Sequence, residues 1–197
     1  TDFFTTGTYD ARREFYKTNA PAMDILVSSN LERLVWFMVN GDSEKVNKYM
    51  EELKETGVYK VDDETLARVQ KEFKAGCLGE EDVLKVIHNC WNENKYLLDT
   101  HTAVGYGVYE EYVKNTGDTT KTILLSTASP YKFPESVYQA LTGEEVDVYT
   151  AIEKLHELTG MDISYPLKGI KDREILHKGV IDRDAILDTI ADKIKEY

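Results

Sequence analysis

The stretch LLSTASPYKF, Leu124 to Phe133, decides how this chain is read, because an apolar run ends abruptly in hydroxyls, a proline and a lysine. Thr122, Ile123, Leu124 and Leu125 have the β-branched and apolar character of a strand covered on both faces, as parallel strands of α/β proteins are. In such sheets ligands gather at the carboxyl ends of the strands. Ser126, Thr127, Ser129 and Lys132 would stand there. The competing reading has Ser126 and Thr127 capping the next helix, and the decapeptide alone leaves both open.

Around this stretch the order of elements predicts an α/β chain. Tyr96–Asp99 reads as a second strand, His101–Val113 as a helix, Gly117–Thr120 as a turn, and 122–128 as the next strand. Pro134 opens a further helix as its first-turn residue, with Val137, Ala140 and Leu141 inward. Strand, helix, strand, helix argues for parallel strands flanked by helices. Gly105-x-Gly107 is too short for a dinucleotide fingerprint and reads as a place where the helix comes close to a neighbour. Helices are also expected over Asn30–Val39, with Asn30 as N-cap, over 148–158, and over 183–194 with an Ile186, Leu187, Ile190, Ile194 stripe.

Residues 42–94 have a different flavour. Val46, Tyr49, Met50 and Leu53 recur at helical spacing, then Leu66, Val69 and Phe73, then Val83, Val86, Ile87, Cys90 and Trp91. Charged helices without long strands between them predict a helical insertion, which divides the chain into 1–41, 42–94 and 95–197. The charges read as a solvated face.

The formal charge of −12 argues against nucleic acid, whose binding relies on Lys and Arg to displace counterions, and against an anionic membrane surface. Apolar runs are far too short to span a bilayer and no secretory pattern opens the chain, so a cytoplasmic location is expected. Cys77 and Cys90 lack metal-ligand spacing, and the four histidines are scattered. Reduced structural cysteines and no metal site are expected.

Three segments in order, PAMDILVSSNLERL (Pro21–Leu34), LLDTHTAVG (Leu97–Gly105) and LSTASPYKF, resemble the threonine synthases, pyridoxal-phosphate enzymes of fold-type II, the tryptophan-synthase-β-like fold. The opening TDFFTTGTYDARREFYKT resembles the family segment just downstream of the loop that holds the coenzyme phosphate. The resemblance covers roughly residues 1–41 and 95–141. It departs at Thr100, where the family usually has proline, and at Ser129 and Tyr131, where it usually has histidine and alanine. The family's coenzyme-anchoring lysine, in a Ser-Phe-Lys-Asp-like context, and its Pro-Thr-Gly-Asn-Phe-Gly-like loop are not in the sequence. With Thr1 as the first residue, the chain is read as the C-terminal part of a longer enzyme, partnered by an N-terminal lobe and inactive alone. Lys132 belongs to a downstream motif and is no substitute for the anchoring lysine.

The resemblance implies roles residue by residue. Thr127, with Ser126 beside it, would donate a hydroxyl to the ring nitrogen of pyridoxal 5'-phosphate. Ser28, Ser29, Asn30 and Arg33 would hold the phosphate of O-phospho-L-homoserine, which also suits a helix N-terminus. The rival reading there is a plain cap by Asn30 with Arg33 paired to Glu32 or Asp24. His101 and Thr102, at a strand-to-helix junction, would face the ligand, and Lys132 would add a point charge for phosphate or carboxylate. The implied reaction is hydration of phosphohomoserine to L-threonine with loss of phosphate. Rivals are a phospholyase that eliminates phosphate without forming threonine, and a noncatalytic ligand-binding or scaffold module of the same fold.

Overall fold

The computed structural model describes residues 1–196 and separates the chain into two compact units, Thr1–Asp162 and a shorter one that begins at Ile163. In the first unit, α1 (Asp2–Thr6), α2 (Ser29–Met38), α3 (Ser43–Thr56) and α4 (Asp63–Glu72) surround a long-range antiparallel pair, β1 (Thr8–Asp10) and β2 (Val58–Lys60). The pair sets Tyr9 opposite Tyr59. Phe3, Val35, Val39, Val46, Tyr49, Leu53, Val61 and Val69 are buried around Tyr59 in one apolar cluster. The helices start where the sequence offers acidic caps. Asp42 accepts from the Lys45 N–H at 3.0 Å and Asp62 from the Thr65 N–H at 2.9 Å.

The remaining helices of this unit form a layered stack. α5 (Glu80–Asn94) packs against both α6 (Thr100–Thr116) and α7 (Pro134–Thr142), and α8 (Val148–Thr159) packs on α7. Val83, Ile87, Val137, Ala151 and Leu155 are buried between them. Gly107 marks a close approach in α6. A Cβ there would lie 2.5 Å from Leu78 Cδ1 and 2.9 Å from Val86 Cγ2, so the spacing reflects packing of the 78–86 segment on the helix.

Two sequence expectations are corrected here. Residues 96–99 and 122–128 form no strand, and the only sheet among the described residues is β1–β2. A strand is defined by ladder partners for its N–H and C=O groups, and neither segment has a neighbouring strand to supply them. Nor is the 122–125 run covered on both faces, since Ile123 is 84% and Leu125 76% exposed. The helix expected from Asn30 begins one residue earlier, at Ser29, and Ser28 takes the N-cap position.

In the second unit, short 3₁₀ turns at Tyr165–Leu167, Ile170–Asp172 and Arg183–Ala185 precede α9 (Ile186–Lys195). Its expected stripe is present at helical spacing, but Ile186, Leu187, Ile190 and Ile194 are all exposed. So short a unit cannot bury a helix face by itself.

Candidate functional site

The start of α6 carries a buried polar cluster. Asp99 is the N-cap, with its carboxylate fully buried. One oxygen accepts from the backbone N–H of His101 at 2.9 Å and of Thr102 at 3.3 Å, and the other accepts the Thr102 hydroxyl. The His101 ring stands beside it, with Nδ1 at 3.2 Å from Asp99 Oδ1. Nε2 accepts the Ala22 N–H at 3.0 Å. An acceptor at Nε2 leaves the ring proton on Nδ1, pointing at the carboxylate, so the contacts specify one tautomer. The imidazole also lies against Phe133, with centroids 4.9 Å apart.

One histidine therefore touches three of the sequence motifs: Ala22 from PAMD, Asp99 from DTHTAVG and Phe133 from SPYKF. Thr102 adds a link to Ser126, whose Oγ lies 3.4 Å from its hydroxyl oxygen. Both ring nitrogens of His101 are engaged, so its place here is that of a clasp between segments.

Thr127 is exposed, and among the described residues its hydroxyl has no protein partner. Neither it nor Ser126 caps a helix. Instead Ser129 caps the 3₁₀ turn Pro130–Lys132, its Oγ accepting the Tyr131 N–H at 3.2 Å, and α7 starts at Pro134 with no side-chain cap. The capping alternative for Ser126 and Thr127 is thus closed. Lys132 is exposed, with Nζ 5.5 Å from the Phe133 ring centre. A cleft of about 350 Å³ opens beside Ser126 and Thr102, walled by Cys90, Leu98, Tyr106 and Leu124. Burial pushes the Cys90 thiol up, which keeps it protonated and unreactive. Among the described residues no group of three or more His, Cys, Asp or Glu is placed to hold a metal.

At the start of α2, Ser28 makes no side-chain cap bond. Asn30 accepts from the Arg33 guanidinium through its side-chain oxygen. Among the described residues Arg33 pairs with no carboxylate, and Asp24 is occupied by Thr18, accepting its N–H at 2.8 Å and its hydroxyl at 2.7 Å. The pairing of Arg33 with Glu32 or Asp24 is therefore not formed. Among the described residues no hydrogen bond joins the Ser28–Arg33 group directly to the His101 cluster. The loop between them is tied at Ala22 to His101 and at Leu26 to Tyr9, whose hydroxyl donates to the Leu26 carbonyl at 2.8 Å.

The sequence reading missed Asp99 and Tyr9. Asp99 had a local signal: an aspartate three residues ahead of a threonine at the start of a helical stretch is a capping pattern. Tyr9 had none, because its partners lie far along the chain.

Comparison with known proteins places this arrangement in a class. Residues 102–163 match the family model "Threonine synthase, C-terminal". Threonine synthase of Saccharomyces cerevisiae is 36% identical over 155 residues, 72% of this chain and 30% of that protein. Human threonine synthase-like 1 is 32% identical over 169 residues, 80% of this chain and 22% of that protein. The crystal structure of the yeast enzyme superposes with a TM-score of 0.80 at 29% identity, over 99% of this chain and 40% of that one. A pyridoxal-phosphate-bound threonine synthase from Brucella melitensis superposes with a TM-score of 0.64 at 29% identity, over 86% of this chain and 36% of that one.

These likenesses set the fold class as a C-terminal portion of the fold-type II architecture, helix-rich and with a small sheet. The chain belongs to the threonine synthase family. It spans less than a third of the length of the curated relatives named here.

Proposed function

We propose that this chain is the C-terminal part of a pyridoxal-phosphate-dependent threonine synthase, a carbon–oxygen lyase that converts O-phospho-L-homoserine and water to L-threonine and phosphate. The observation that carries the reading is the meeting of the three family motifs at His101 and Thr102, with Ser126 at the same place and Thr127, the next residue, exposed. In this reading the lobe is made of 1–41 and 95–197 with 42–94 inserted, it is completed by an N-terminal lobe, and the enzyme works in the cytoplasm.

The donor set fits the coenzyme. A pyridine nitrogen kept neutral needs a hydroxyl donor, and Thr127 has an uncommitted one with Ser126 next to it. Pyridoxal phosphate, when bound, withdraws electrons from the substrate so that protons can leave Cα and Cβ. A hydroxyl partner tempers that withdrawal relative to a carboxylate. The side chains of Ser28, Ser29 and Asn30, the uncapped N–H groups of the first turn of α2, and the Arg33 guanidinium form a set suited to a phosphate monoester. Lys132, which forms no ion pair among the described residues, would add a second cation for the phosphate or the carboxylate, which matters in a chain of charge −12. His101 and Thr102 serve by holding the coenzyme segment and the 18–26 loop in register.

The test is turnover of phosphohomoserine by the complete enzyme, with threonine and phosphate quantified. Arg33→Ala is expected to raise KM about tenfold to a hundredfold, the loss of one charge-assisted contact. A product other than threonine, with phosphate still released, would leave the phospholyase as the reading. The isolated chain is expected to give no visible absorption of lysine-bound coenzyme on adding pyridoxal phosphate.

A further inference from the structure

A column of tyrosines runs through the first unit and ends at the loop that precedes α2. Tyr49 and Tyr59 stack with ring centres 5.6 Å apart, and Tyr59 and Tyr9 with centres 5.5 Å apart. Phe3 packs edge-on against Tyr9, and its ring centre lies 6.1 Å from that of Tyr59. At the far end the Tyr49 hydroxyl donates to Asp62 at 3.0 Å, and Asp62 is paired with Lys45 at 2.5 Å. At the near end the Tyr9 hydroxyl does two things at once. It donates to the Leu26 carbonyl at 2.8 Å and accepts the Ser28 N–H at 2.8 Å.

The two bonds bracket Val27 and fix the backbone on both sides of the residue before the N-cap. A rigid ring stack anchored in a buried core is a poor absorber of strain, so the hydroxyl fixes where Ser28, Ser29 and Asn30 begin their turn. No side-chain cap does so, since Ser28 makes none. We infer that Tyr9 is a positioning residue for phosphate-monoester binding, acting through its paired contacts to Leu26 and Ser28. This inference rests on the assignment of Ser28–Arg33 to the substrate phosphate.

Three variants of the complete enzyme separate the inference from that assignment, each read by KM and kcat for phosphohomoserine and by Kd for inorganic phosphate. Tyr9→Phe keeps the ring in its stack and deletes only the hydroxyl. It is expected to raise KM and the phosphate Kd about tenfold while kcat stays within about twofold, as loss of binding contacts alone would do. Amide exchange at Ser28 should accelerate with it. Tyr49→Phe deletes a hydroxyl from the same column and should move neither constant. A Tyr9→Phe enzyme with unchanged phosphate affinity, or a Tyr49→Phe enzyme weakened equally, overturns the role of Tyr9. If Arg33→Ala weakens phosphate binding while Tyr9→Phe does not, only the inference falls; if Arg33→Ala also binds phosphate normally, the site assignment falls with it.

Discussion

Replacing Asp99 with alanine tests whether the clasp at α6 holds the motifs together. The carboxylate is fully buried and takes four contacts: two backbone N–H groups, the Thr102 hydroxyl and His101 Nδ1. Losing the cap alone costs about 1 kcal/mol. Thr102 is only 4% exposed, so its hydroxyl and the imidazole N–H would be left unpaired in a dry site, at about 1–3 kcal/mol for each such group. The sum is about 3–7 kcal/mol, a large share of the roughly 5–15 kcal/mol that separates a folded domain from its unfolded chain. Asp99→Asn keeps an oxygen for the cap but faces one contact with an N–H₂, so a loss of about 1–2 kcal/mol is expected. Urea unfolding followed by helical circular dichroism gives the two values, and amide exchange localises them. The Ala22 amide should exchange faster in both variants, because its acceptor is a ring oriented by Asp99. An alanine variant within about 0.5 kcal/mol of wild type, the scatter expected of an ordinary surface change, or an Ala22 amide indifferent to it, would refute the clasp.

Gly107→Ala places a methyl against Leu78 and Val86 at distances that force one of them to move. Overpacking should outweigh the gain in helix propensity and leave a net loss of about 1–2 kcal/mol, read as a lower thermal midpoint. Asp62 has its carboxyl well below the ordinary 3.8, first through the Lys45 ammonium and then through the Thr65 N–H, opposed by partial burial. A lowered folded value means the contribution is complete above 3.8 and disappears as pH falls through the folded value. Asp62→Asn should therefore flatten the acid limb of a stability–pH curve while leaving its shape above pH 5 unchanged, about one unit past the ordinary carboxylate range.

What the sequence made legible follows the reach of each signal. Helices α3, α4, α5, α7 and α8 were readable because their caps and apolar periods are local: Asp42 and Gly57 bracket α3, and Asp147 and Gly160 bracket α8. The hydroxyls around Thr127 left two readings open, a cap or a site; the structure shows that they cap no helix and that Thr127 is exposed. The strand character of 122–125 was misread for a related reason. β-branched and apolar residues report that a segment suits a pleated, half-buried surface, and say nothing of whether a neighbouring strand is present. Here none pairs with it, and Ile123 and Leu125 face outward.

His101 shows the opposite kind of limit. Its place in the motif suggested a side chain at a ligand site; the Ala22 partner of its Nε2 lies 79 residues away and leaves no local signal, while Asp99 stands beside Nδ1. That matters for chemistry, because a histidine already accepting at Nε2 and donating at Nδ1 can neither take nor give a proton without releasing one of the segments it joins. Protonation at Nε2 would set two N–H groups against each other and push the Ala22 amide away. The loop from Thr18 to Leu26 would then hang on Tyr9, the Thr18–Asp24 pair and the bonds of Asn19 to Glu80 and Ser136. In the proposed enzyme His101 would therefore act on geometry and leave proton transfers to a group with a free lone pair.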